Sequence, residues 1–161
     1  MNVNSTTTME ALEGELRATK VFPNGDIEEV FHEKNLIMLG SKQRLLRMTY
    51  ATAGAWDPIT SLRLGIGGTL DPVGLYPKAV NQLLTSLYSE LVSLPTFYTL
   101  AEQIPSITFI ADLDQSMGNG EKITEAGLFT TGGSMFNIKC FPSIDKTSEF
   151  SLHFEWTIKI S

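Results

Sequence analysis

Two histidines and one cysteine are the side chains of this sequence best suited to acid–base, nucleophilic or metal chemistry. His32 and His153 fall in segments that alternate like β-strands, and Cys140 lies in an apolar strand. No G-x-S-x-G elbow accompanies the histidines, and the sequence has no C-x-x-C or H-x-x-x-H spacing. We therefore predict no catalytic centre, no bound metal and no cofactor, and expect Cys140 to be a small buried apolar residue.

Two further stretches resemble ligand-binding loops but fail on spacing. Gly65-Ile66-Gly67-Gly68 lacks the Lys-Ser/Thr pair of a phosphate-binding loop, so a sharp turn after a strand explains it better. Asp112, Asp114 and Ser116 place oxygens at alternate positions, as a calcium loop does, but Ile123 stands where an EF-hand needs glutamate. We interpret this second stretch as a solvated hairpin end, with a looser cation site as the alternative.

Glu125 stands out because it interrupts an otherwise apolar strand, Glu125-Ala126-Gly127-Leu128-Phe129. Simple alternation would turn its carboxylate to solvent. Alternatively, it turns inward and accepts hydrogen bonds that lock the sheet, because a buried carboxylate needs several donors. We favour the second interpretation, since Gly127 would let another backbone approach closely. Neither interpretation makes Glu125 a catalyst.

Composition limits the class of protein. The chain has 161 residues, which suits one domain, and 42% of them are hydrophobic while only 19% are charged. Such a chain either leaves apolar surface for a partner or forms a well-buried all-β domain. A net charge of -6 with scattered basic residues argues against nucleic-acid binding. The single cysteine suggests synthesis in a reducing cytoplasm, and no apolar run is long enough for membrane insertion.

The elements that would position these residues are mostly strands. Residues 1–12 are a polar arm that we expect to be flexible or ordered only by a partner, and 13–161 should form a single domain. Within this domain, we predict that residues 13–33 form a hairpin around Pro23-Asn24-Gly25-Asp26 and that residues 35–48 form a short α-helix.

The rest of the chain predicts an antiparallel β-sandwich of seven or eight strands. The closing strand separates its faces, with Leu152, Phe154 and Trp156 among the apolar residues on one side. We expect Pro142 to Glu149 to be the connection before it, and the stretch from Lys78 to Leu94 to hold a short helix or turn followed by a strand.

The C-terminal segments resemble a pattern found in small structural proteins of tailed bacteriophages. Weaker matches lie upstream in the same order, so the likeness spans Asn35 to Ile160 but leaves out the N-terminal hairpin and arm. The segments that carry it are Asn35-Leu36-Ile37, Leu64 to Gly68, Leu83 to Leu91, Glu125 to Phe129, Gly132 to Phe136, Phe141 to Thr147 and Phe154 to Ile158.

This resemblance implies a non-enzymatic virion component, made in the bacterial host cytoplasm and located in a tail, baseplate or fibre attachment. It implies assembly with other virion proteins and with copies of itself, as a trimer by analogy with fibres. A neck, collar or capsid-decoration protein is the nearest alternative. The residues expected to form the core or an interface are Glu125, Gly127, Phe129, Phe136, Phe141, Lys146, Phe154 and Trp156.

A carbohydrate-binding module that recognises a host surface is a second alternative from a different class. Such a site would present exposed aromatic side chains in a groove. Trp56 and Tyr76 are the first candidates, followed by Tyr88 and Tyr98, but packing is the better explanation of all four.

Overall fold

The protein is mainly β, and its strands form two antiparallel sheets. The computed structural model describes residues 12–35, 57–66, 89–91, 96–97 and 106–160. Within those ranges the strands are β1 Leu12–Val21, β2 Ile27–Asn35, β3 Ile59–Gly65, β4 Ser89–Leu91, β5 Thr96–Phe97, β6 Ser106–Leu113, β7 Lys122–Thr130, β8 Met135–Asp145 and β9 Ser151–Ile160.

The five-stranded sheet has the order β2-β1-β9-β6-β5, and the four-stranded sheet has the order β4-β3-β7-β8. Among the described strands, β1 and β9 are the furthest apart in the chain, yet they are neighbours in this sheet. They pair antiparallel, from Leu12 opposite Ile160 to Val21 opposite Ser151. On its other side β9 pairs with β6 over eight residue pairs. The strand β9 therefore joins the β1–β2 hairpin to the rest of its sheet.

One hydrophobic core takes side chains from both sheets. Alternate residues of β9 point into it, and Trp156, Leu152 and Phe154 are almost completely buried. Each such side chain stabilises the fold by about 1.5–3 kcal/mol when it leaves water. The core residues are Leu16, Ala18, Leu62, Leu64, Phe109, Ala111, Leu113, Ile123, Ala126, Leu128, Phe136, Phe141, Ile144, Phe150, Leu152, Phe154, Trp156 and Ile158.

The edge strands β2 and β8 meet and close one side of this core. The rings of Phe31 and Phe141 stack with their centroids 4.7 Å apart. Beside them, Lys139 Nζ lies 2.6 Å from a carboxylate oxygen of Glu33 and donates a hydrogen bond to the carbonyl of Lys34. An apolar contact and an ion pair thus link the two sheets where neither has a further described strand.

The predicted N-terminal hairpin is confirmed. Its turn places Gly25 at a φ of 88°, a conformation that glycine adopts without a steric penalty. Phe22 N donates to the carbonyl of Asp26, and Gly25 N donates to the carbonyl of Phe22, each at 2.9 Å. The Asn24 side chain also accepts from Asp26 N. The strand β2 continues to Asn35, two residues beyond the expected end.

The predicted connection from Pro142 to Glu149 is too long. Residues Pro142 to Asp145 extend β8, and Ile144 and Asp145 pair with Ile123 and Lys122 of β7. Proline is tolerated here because β8 is an edge strand, so the missing N–H can face away from the ladder. The connection to β9 is therefore only residues 146–150.

Several other predictions fall on residues that the structure does not describe. The helix at 35–48 lies outside the described residues except for Asn35, which ends β2. Residues 1–11 of the arm lie outside them as well, whereas Leu12 already belongs to β1. In the stretch from Lys78 to Leu94, only β4 is described.

The opposite roles of the two faces of β9 can be tested at neighbouring positions. We expect Phe154→Ala to lower the free energy of unfolding by about 3–5 kcal/mol, because it removes a ring that is 1% exposed in a packed core. Glu155→Ala, on the solvent side, should change it by no more than about 1 kcal/mol. Urea denaturation measures both, and equal losses would contradict the assignment of faces.

Candidate functional site

The eight residues singled out from the sequence lie in three separate places. Four of them (Phe136, Phe141, Phe154 and Trp156) belong to the core between the sheets. Glu125, Gly127 and Phe129 alternate along β7 with the core residues Ala126 and Leu128, so they occupy the opposite face of the four-stranded sheet. Lys146 lies at the start of the β8–β9 connection. All eight are buried.

Glu125 is completely buried, so the interpretation that turned it to solvent is wrong. It pairs with Gly65 of β3 and with Cys140 of β8. Its side chain covers Gly65 so closely that a Cβ there would lie 2.8 Å from Glu125 Cγ and 2.9 Å from Cδ. The glycine that makes room for this carboxylate is therefore Gly65, rather than Gly127 as the sequence suggested.

Arg63 occupies the same face and was missed by the sequence analysis. It lies opposite Gly127, and its guanidinium carbon lies 4.4 Å from the centre of the Phe129 ring. A cation at this distance is attracted to the face of the ring, and the missing side chain at Gly127 leaves space for it. The alternation of Leu62-Arg63-Leu64-Gly65 could have revealed Arg63 from the sequence, because it places Arg63 and Gly65 on one side of β3.

Asn137 is a second buried polar residue that the sequence did not reveal. It is completely buried on β8, opposite Leu128, where the β7–β8 register shifts. Neither its amide nitrogen nor its amide oxygen forms a hydrogen bond with a described residue. Burial of an amide costs about 1–3 kcal/mol where its polar atoms have no partner, so Asn137 stands out among the described residues of the sheet.

Lys146 lies beneath the loop that joins β6 to β7. It is 1% exposed, and its Nζ donates to the carbonyl of Thr147 at 2.7 Å and to Asn119 Oδ1 at 3.2 Å. The Phe150 ring lies 5.3 Å from the same nitrogen. Backbone hydrogen bonds join the two segments on either side, from Gly120 N to the Lys146 carbonyl and from Lys146 N to the Glu121 carbonyl.

Two effects act on the pKa of Lys146 in opposite directions. Burial lowers the pKa of the Lys146 ammonium below its ordinary value of 10.5, and the negative charge of Asp114 partly opposes that shift. Asp114 itself accepts from the hydroxyl and the backbone N–H of Ser116, both at 2.6 Å, and these bonds lower the pKa of its carboxyl group. The loop between β6 and β7, which the sequence predicted to be a solvated hairpin end, is thus stabilised by hydrogen bonds between its own residues.

The outer face of the five-stranded sheet carries a ladder of charged side chains. Arg17 joins Glu29 of β2 to Glu155 of β9, with nitrogen–oxygen distances of 2.8 and 3.6 Å. Lys159 donates to Glu15 at 2.6 Å, the main reason that the pKa of Glu15 is lowered and that of Lys159 is raised. This face is therefore polar, and its charges are satisfied within the chain.

Both histidines belong to this ladder. His153 Nδ1 lies 2.6 Å from Asp112 Oδ1, and His32 Nε2 lies 3.6 Å from Glu15 Oε2. Among the residues that the structure describes, no group of three or more His, Cys, Asp or Glu side chains is arranged to hold a metal ion. Cys140 is half-buried rather than fully buried as expected.

Trp56 and Tyr76, the proposed recognition aromatics, lie outside the described residues, as do Tyr88 and Tyr98. A search of the described residues found no helix long and apolar enough to cross a membrane. No family model, curated protein or solved structure matches this chain.

The contact between Glu125 and Gly65 can be tested with a double-mutant cycle. We expect Gly65→Ala to lower the free energy of unfolding by about 1–3 kcal/mol, because the new methyl group would overlap the Glu125 side chain. In a Glu125→Ala background, where Cγ and Cδ are absent, the same change should cost little. Chemical denaturation of the four proteins gives the coupling, and equal losses in both backgrounds would contradict the contact.

The Glu15–Lys159 pair predicts a specific pH dependence. The pKa of Glu15 is lower in the folded protein than its ordinary value of 4.5. The stabilisation that Glu15 contributes to the fold is therefore complete above pH 4.5 and is lost as the pH falls through the folded pKa. The pKa of Lys159 is higher in the folded protein than its ordinary value of 10.5. The stabilisation that Lys159 contributes is therefore complete below pH 10.5 and is lost as the pH rises through the folded pKa. Between these limits we expect Glu15→Gln to lower the free energy of unfolding by about 0.5–1 kcal/mol.

The measurement is urea denaturation of the wild-type protein and Glu15→Gln from neutral to acidic pH. The difference between the two should shrink as the solution becomes more acidic. Glu28→Gln is the matched control, because Glu28 pairs with Lys20 at a more exposed position. A Glu15 difference that is constant with pH would contradict the assignment.

Proposed function

We propose that the protein is a structural component of a tailed-bacteriophage virion, in the tail, the baseplate or a fibre attachment. It acts by packing against copies of itself and against other virion proteins, without turning over a substrate. The proposal rests on the resemblance of the C-terminal segments to small structural proteins of such phages, and on the part those segments play in the fold.

The observation that carries the proposal is that several residues of the resemblance belong to the core of the domain. Phe136, Phe141, Phe154 and Trp156 all lie in the core shared by the two sheets. The strands that hold them, β8 and β9, belong to different sheets, so the pattern specifies how both sheets pack. A pattern of buried packing residues is what a shared structural fold requires.

We further propose that the two sheets form a β-sandwich completed by the helix at 35–48 and by an N-terminal arm. The start of β1 lies beside the end of β9, because Leu12 pairs with Ile160. The hairpin turn at 22–26 and the connection at 146–150 lie at the opposite end of the same sheet, and the Phe22 and Phe150 rings meet there with centroids 5.9 Å apart. The arm would therefore leave the domain at one end and reach a neighbouring subunit from there.

The outer face of the five-stranded sheet bears on how copies would associate. Its side chains form ion pairs within the chain, so it offers little apolar surface for a tight contact. Among the described residues, the exposed large hydrophobic side chains are Ile27 and Ile66. We therefore assign self-association, as a trimer or another homo-oligomer, chiefly to the arm rather than to this sheet face.

The decisive experiment has two parts. Light scattering after size-exclusion chromatography should find an oligomer for the full-length protein and a smaller species after deletion of residues 1–11. The matched control is Glu13→Gln, which leaves the arm intact and should keep the oligomer. Mass spectrometry of purified particles should then detect the chain, and fractions of tails, necks and capsids would assign its position. A monomeric full-length protein that is absent from particles would overturn the proposal.

A further inference from the structure

Lys146 is the most deeply buried amine among the described residues and has a side-chain carboxamide beside it. Its side chain is 1% exposed, and the Phe150 ring lies 5.3 Å from Nζ. Such an enclosure limits the access of water to the amine. A lysine amine that loses its proton is a nucleophile, and burial is what favours that loss.

The second reactant is the carboxamide of Asn119. Its Oδ1 accepts a hydrogen bond from Lys146 Nζ at 3.2 Å, and its Nδ2 donates to the Gln115 carbonyl at 2.9 Å. These two bonds hold the carboxamide with its oxygen towards the amine, while Asn119 itself is exposed to solvent. The carbonyl carbon is one C=O bond, about 1.2 Å, beyond Oδ1, so to attack it Nζ must leave its hydrogen bond with Oδ1 and move over the face of the carboxamide.

We propose that Lys146 and Asn119 are the two partners of an intramolecular isopeptide bond. The neutral Nζ adds to Asn119 Cγ, the Cγ–Nδ2 bond breaks, and an Nζ–Cγ amide bond forms. One hydrogen of the attacking amine is transferred to Nδ2, which leaves as ammonia. The reaction needs no oxidant, metal or cofactor.

The usual competing reaction at this position is held back by the fold. Asn119 precedes Gly120, and in such pairs the glycine nitrogen can attack the asparagine carboxamide to give a succinimide. Here Gly120 N donates a hydrogen bond to the Lys146 carbonyl at 2.9 Å, which points it away from its own neighbour. The lysine amine is thus the nucleophile that faces Asn119.

The charged groups near Lys146 set the pH dependence of the bond. Burial lowers the pKa of Lys146, whereas Asp114 in the loop after β6 favours the charged form, which cannot attack. Lys20 of β1 lies 5.3 Å from the same Phe150 ring and is paired with Glu28, so its charge is partly neutralised. The bond should therefore form faster at alkaline than at neutral pH.

The consequence would be a covalent link between the β6–β7 loop and the β8–β9 connection. These segments are already joined by two backbone hydrogen bonds, so the bond would form without any change in the path of the chain. The inference does not depend on the proposed virion function, because the mass and the proteolytic fragments of the isolated protein decide it.

The test is the intact mass of denatured full-length protein after prolonged incubation at neutral and at alkaline pH. We expect a shortfall of one ammonia from the sequence mass, growing faster at alkaline pH, and a branched proteolytic fragment that joins Asn119 to Lys146. Lys146→Arg keeps the positive charge but should abolish the branched fragment, and Asn119→Ala should do the same. Far-UV circular dichroism verifies that both variants remain folded.

Fragment mapping separates this bond from other losses of ammonia. Asn24 also precedes a glycine, in the hairpin turn, and a succinimide there would give the same shortfall without a branched fragment. An unchanged wild-type mass after alkaline incubation, or a wild-type shortfall without the branched fragment that joins Asn119 to Lys146, would overturn the proposal. The fragment map of the wild-type protein decides the proposal even if a variant does not fold.

Discussion

The pairing of β9 with β1 and β6 is the constraint on which the rest of the structure depends. It brings the N-terminal hairpin and the strand β6 into one sheet, although neither of them pairs with the other. On one face β9 places Trp156 and Phe154 against the other sheet, and on the opposite face it supplies Glu155 and Lys159 to the charged ladder. Alternation along a single strand thus fixes the core and the surface together.

Buried polar groups are distributed unevenly around this framework. Glu125 and Arg63 share the outer face of the four-stranded sheet, where glycines at 65 and 127 leave room for their side chains. Lys146 is enclosed by two short connections that give it oxygen acceptors. Burial of such groups lowers stability unless geometry compensates for it, so each marks a position where the fold is tightly specified.

Local patterns predicted the strands well, because period-2 alternation and turn residues are properties of neighbouring positions. The hairpin turn around Gly25 matches the expectation. The extension of β8 through Pro142 was missed because its tolerance depends on β8 being an edge strand, which sequence order does not reveal. Likewise, Glu125 could be singled out from its neighbours, but its contact with Gly65 depends on the register between β3 and β7.

The position of β9 also has a consequence for the order of folding during synthesis. The hairpin β1–β2 is made early, yet its sheet partner is the strand furthest from it along the described chain. Until that strand leaves the ribosome, one edge of β1 has no neighbour in the sheet, and the apolar side of the hairpin has no complete core to cover it. Contacts between such distant segments slow folding, so the nascent chain depends on this distant strand to convert a set of hairpins into a domain.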